Sequence, residues 1–144
     1  MKNVVGNDID NKTGNDVNND VNNDINNDLK ELAATAALYL RRLSNAVAAL
    51  ADRARLSPPA GIGGGAEMEE IVAGLEWSMS AMRILSAQNG GNSASDCAHI
   101  VSCLKMALDS LQNGDCVFFA DMLEFEVNPV IMRWQIWSAS LCKT

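Results

Sequence analysis

The sequence predicts an all-α fold: an antiparallel bundle of about four helices at 28–56, 66–88, 95–112 and 115–140, preceded by a disordered N-terminal tail at 1–27. Three observations predict it. Apolar residues recur in steps of three and four from residue 29 onward, the period of a helix with one buried face. No stretch alternates apolar and polar residues with β-branched enrichment, so no sheet is expected. Proline and glycine cluster mainly between the periodic stretches, with Gly74 and Pro129 as exceptions inside them.

The tail is read from its repeat. Asn-Asp-Val-Asn recurs from Asn15, placing Val17, Val21, Ile25 and Leu29 four apart. A four-residue step advances ~400° around a helix, so the stripe drifts only ~40° per repeat and an amphipathic helix is geometrically open. Asn and Asp, however, compete for backbone hydrogen bonds and are poor interior helix formers. One aliphatic per four residues does not offset the ordering entropy. A calcium loop starting at Asp16 fails, because Val21 and Asn27 stand where the turn glycine and the bidentate glutamate are needed.

Order is expected from Asp28, where Asp28 and Glu31 have the form of a capping box. The Ala-rich helix 28–56 carries Leu32, Ala36, Leu40, Leu43, Val47, Leu50 and Ala54 on one face. Residues 57–65 form a Pro/Gly linker to a helical core domain at 66–144. The second helix has Glu67, Glu69 and Glu70 in its first turn, where the helix dipole favours anions. Its face is Met68, Ile71, Val72, Leu75, Met79, Met82 and Leu85, with Trp77 and Ile84 off that face. The third helix is assigned the face Cys97, Ile100, Val101, Leu104, Leu108 and Leu111, and Asn113-Gly114 supplies its left-handed stop.

The fourth helix is the most apolar. Asp115 caps it, and Cys116, Phe119, Leu123, Val127, Val130, Trp134, Trp137 and Leu141 form its seam. Phe118, Met122 and Phe125 widen that seam, so the helix is expected to be central in the bundle or half of an interface. Pro129 removes one backbone donor and its ring opposes the carbonyl of Phe125, which predicts a kink near Asn128–Pro129.

Charge and chemistry narrow the function. The net charge of −7 lacks the basic stripe that a nucleic-acid partner needs. Membrane insertion is not expected either, because the most apolar window, Leu32 to Leu50, is interrupted by Arg41-Arg42. With no apolar leader after Met1-Lys2, a cytoplasmic location follows, where Cys97, Cys103, Cys116 and Cys142 stay reduced. Asp96, His99 and Cys103 share one flank of the third helix and have the residue types of an oriented thiol nucleophile. As zinc ligands, Cys97, His99, Cys103 and Cys116 lack the close Cys-x2–4-Cys pairing of structural sites. Asp121 and Glu124, with Asn128, are read as a solvated outer face. No catalytic residue, metal or cofactor is therefore assigned.

One resemblance adds to this reading. Gly114-Asp115, Ala120-Asp121-Met122-Leu123-Glu124-Phe125-Glu126, Pro129 and Trp134 resemble the closing signature of a family of small bacterial all-helical proteins, a domain of unknown function. Gly74-Leu75-Glu76-Trp77 is similar to the same family, and Phe125 stands where its signature has tyrosine. The resemblance spans about residues 66–137 and implies an all-helical fold and a bacterial source, with no activity attached. The antiparallel layout also looks like that of flagellar export chaperones. The expected function is a non-catalytic helical protein–protein interaction module, acting on a protein partner or as a homodimer. Its contact residues are expected at Trp77, Phe118, Phe125, Trp134 and Trp137. The alternatives are an export-chaperone-like binder of a flagellar or secreted subunit, and a thiol or acid–base enzyme.

Overall fold

The computed structural model describes residues 2–56 and 66–143, with side chains from residue 23 onward. Every element among them is helical: α1 (Lys2–Leu56), α2 (Ala66–Asn89), α3 (Ala94–Gln112), α4 (Cys116–Asp121), a π segment (Met122–Val127) and α5 (Asn128–Cys142). The last three are continuous and make the fourth helix of the bundle. The linker expected at 57–65 lies outside the described residues.

Cross-helix contacts show the directions. Lys30 meets Cys142, Ser44 meets Asn128, and Arg55 meets Asp121, so α1 runs antiparallel to the fourth helix. Tyr39 meets Trp77, and Arg53 pairs with Glu67, so α1 and α2 are antiparallel as well. Asp96 meets Arg133 and His99 meets Glu126, which sets α3 antiparallel to the fourth helix. The first helix is therefore part of the same core as residues 66–143, not a separate unit.

The helix α1 does not begin at Asp28. It runs continuously through the expected capping box, with Asp28 and Glu31 exposed and interior. The apolar repeat explains the continuity, because Leu29 and Leu32 pack at the edge of the core ahead of Ala33 and Ala36. The tail reading for residues 1–27 falls mostly on residues whose side chains lie outside the described set, and residues 23–27 are exposed.

The core is a single cluster contributed by all four helices. Leu40, Val47, Leu50, Ile71, Leu75 and Met82 are among its fully buried members, as the periodicity predicts for α1 and α2. Each such side chain contributes ~1.5–3 kcal/mol on removal from water. In α3 the phase differs from expectation. Cys97, Ile100, Cys103, Ala107 and Ser110 are buried, while Val101 and Leu108 are exposed. Apart from Ile100, the fully buried side chains of α3 are small, which lets two backbones approach, while Val101 and Leu108 are turned outward.

Local signals set the ends. Gly114 has φ +79°, and Asp115 N–H donates to Ser110 O at 2.8 Å, a Schellman-type stop for α3. The Asp115 carboxylate then accepts from Phe118 N–H at 3.0 Å, capping α4. The disturbance expected at Pro129 is met by the π segment immediately before it. Asn128 N–H reaches the carbonyl of Leu123, five residues back, so the ladder is re-spaced ahead of the residue that has no N–H to give. Among the described residues, no helix is long and apolar enough to cross a membrane.

Candidate functional site

The seam between α3 and the π segment gathers the chemistry-bearing side chains. His99 and Cys103 are one turn apart on α3, a spacing that puts both on one face. Cys103 Sγ lies 3.5 Å from His99 Nε2 and 3.9 Å from Nδ1. Across the seam, Glu126 Oε2 is 3.0 Å from His99 Nε2. Cys103 is buried, and the His99 and Glu126 side chains are each 46% exposed, so the sulfur forms the floor and the imidazole and carboxylate the rim.

Asp96 does not belong to this group. It is drawn to Arg133 of α5, whose Nη2 donates to Asp96 Oδ1 at 2.9 Å. The expected Asp96–His99–Cys103 line is thus corrected: the carboxylate beside His99 is Glu126, 27 residues away in sequence. Cys97 is buried beside Arg83 of α2, and among the described residues the clustered donors are His99, Cys103 and Glu126, so the four-residue set with Cys97 and Cys116 does not assemble. Burial pushes the Cys103 thiol above its ordinary range, and the nearby Glu126 carboxylate pushes the same way. A thiol nucleophile needs the opposite shift, since the thiolate is the reactive form.

The second candidate pair is not a free outer face. Arg55 of α1 donates from Nη2 to Asp121 Oδ1 at 3.0 Å and pairs with Glu124 as well. Its guanidinium also sits 5.9 Å from the centroid of the Phe125 ring. Asn128 turns the same way and accepts from Ser44 Oγ at 2.7 Å. These residues face the edge of α1, where one arginine is shared by the two carboxylates.

The aromatic candidates divide. Trp134 is in the core at 4% exposure and offers no contact surface. Trp137 is half-buried, with its ring close over Gly91, where an added side chain would be tightly packed; both tryptophans line a cleft that Asp96 and Arg133 also line. Trp77 is exposed at its rim, but its ring packs edge-on against Tyr39, with centroids 5.0 Å apart. Phe118 and Phe125 remain exposed. With Phe125, residues Pro129, Met132 and Ile136 follow at steps of four, three and four, and Met132 and Ile136 are exposed. Sequence reasoning missed Met132 and Ile136. Their signal was present: this second stripe runs two residues out of step with the core stripe of Leu123, Val127, Val130 and Trp134.

Comparison with protein-family models, with curated proteins and with solved structures gives no match.

Proposed function

We propose that this protein is a non-catalytic helical interaction module that meets a protein partner through the outer stripe of its fourth helix. One observation carries the reading. Phe125, Met132 and Ile136 are 64%, 52% and 66% exposed on a regular helical spacing, although the same helix already fills the core with its opposite face. A four–three–four stripe is the spacing by which one helix packs on another, and clustered apolar exposure marks an interaction surface. The raised Cys103 thiol and the engagement of Asp121 and Glu124 by Arg55 support a role without chemistry. Four free cysteines fit a reducing cytoplasmic compartment.

The test compares the wild type with the surface variant Phe125→Asp/Ile136→Asp. Sedimentation velocity across the micromolar range reads self-association, and co-purification from the native host reads partners. The expected result is loss of the dimer, or of a specific co-purifying protein, in the variant with its helical circular dichroism intact. Identical sedimentation and identical co-purifying proteins for the two chains would remove the proposal.

A further inference from the structure

The cluster of His99, Cys103 and Glu126 is not used by the interaction reading, and its geometry suggests a separate role. The three candidate ligand atoms, one from each residue, all lie within 4.8 Å of one another. Zinc bound at 2.0–2.3 Å in a tetrahedron has ligand–ligand edges of about 3.3–3.7 Å. The Nε2–Sγ separation of 3.5 Å is of that size, and the Nε2–Oε2 separation of 3.0 Å is slightly short of it. The remaining separation, Sγ to Oε2, is no more than 4.8 Å, so closing around an ion draws the half-exposed carboxylate toward the sulfur and away from the imidazole. The sulfur is fixed by burial, and the solvent-facing rim leaves a path of entry.

The π segment is what brings the third donor to this place. Glu126 lies within it, one residue before the end, and the re-spaced turn lets Glu126 face α3 while its neighbour Val127 stays buried in the core. Such segments recur at functional sites because they re-aim one side chain without breaking the helix.

We propose that His99, Cys103 and Glu126 form a three-ligand site for a zinc-type divalent transition-metal ion. The donor set selects the ion class. A thiolate and an imidazole disfavour magnesium and calcium, which take oxygen ligands, and a mixed S, N, O set suits zinc or cobalt(II). On binding, the Cys103 thiol gives its proton to solvent and its sulfur becomes the anionic ligand. Three protein ligands leave the fourth tetrahedral position to water.

Cobalt(II) alone, added to the reduced full-length chain, is the probe. The expected result is a one-to-one thiolate-to-cobalt charge-transfer band, with the band displaced by zinc. Cys103→Ser abolishes the band, whereas the double variant Cys116→Ser/Cys142→Ser keeps it. Because His99 and Glu126 are half exposed, His99→Gln and Glu126→Gln fold normally by circular dichroism and weaken cobalt binding at least ~10-fold. A wild type that develops no band overturns the proposal. So does a band that survives Cys103→Ser, or an affinity unchanged in both His99→Gln and Glu126→Gln. These readouts are spectroscopic, so their outcome is independent of whether the α5 stripe binds a partner.

Discussion

The fourth helix is packed on two sides, and the two seams are built differently. Against α1 it meets a ladder of fully buried aliphatics, including Leu40, Val47 and Leu50, with Ser44–Asn128 as a hydrogen bond within it. Against α3 it meets small residues, Cys103, Ala107 and Ser110, and the rim of that seam carries His99–Glu126 and Asp96–Arg133. The first seam excludes water over large apolar area and holds the fold. The second gains little from area, brings backbones close, and leaves polar groups at hydrogen-bonding distance where solvent reaches them. The apolar packing and the polar cluster thus belong to different seams of one helix.

The contrast is broken most severely at the α1 seam. Leu40 is fully buried, so Leu40→Ala removes its transfer energy and leaves a cavity. The expected loss is about 2–5 kcal/mol, read as a lower urea midpoint with an unchanged slope. The same truncation at Leu108 of α3, which is 36% exposed, is expected to cost well under half as much. Equal losses at the two positions would show that Leu108 is packed as Leu40 is, against its outward placement.

The α3 seam is tested by adding volume rather than removing it. Ala107 has no exposed surface and faces the fourth helix. Ala107→Leu is expected to cost about 1–3 kcal/mol through overpacking, despite leucine being an adequate helix former. It is also expected to separate His99 from Glu126, seen by NMR as a change in the chemical shifts of the His99 ring. A neutral or stabilising result would mean that small residues are not needed for close approach here.

This difference between seams also explains what could be read from the sequence. For α1 and α2 the aliphatics on the periodic face are the buried ones, so spacing identified Leu40, Val47, Leu75 and Leu85, while Leu38 and Ile84 lie off that face and are exposed. In α3 the same rule chose Val101 and Leu108, because a hydrophobicity pattern ranks side chains by size and the seam selects for smallness. The cap at Asp115 and the stop at Gly114 were legible because each depends on one residue and its immediate neighbours. The start at Asp28 was not, since a capping box reads the same inside a helix that the apolar stripe carries onward. Glu126 beside His99 was the least legible feature. It requires two helices in register and a re-spaced turn, and the sequence announced only the disturbance, through Pro129.

The smallest effect separates the thiols of the two environments. Burial raises the Cys97 and Cys103 thiols above the ordinary value of 9.0, with Arg83 opposing the shift at Cys97 and Glu126 adding to it at Cys103. A thiol whose pKa is higher in the folded state binds its proton more tightly there. Its contribution to stability is complete below the unfolded value and is lost as pH rises through the folded one. The urea midpoint is therefore expected to fall on the alkaline side, from about pH 9 upward, and to fall less steeply in Cys103→Ala than in the wild type. Iodoacetamide in the native state should label the half-buried Cys116 and Cys142 before Cys97 and Cys103 at every pH below that fall. Cys103 labelled as fast as Cys116 would place its sulfur at the surface and undo the division between a closed floor and an open rim.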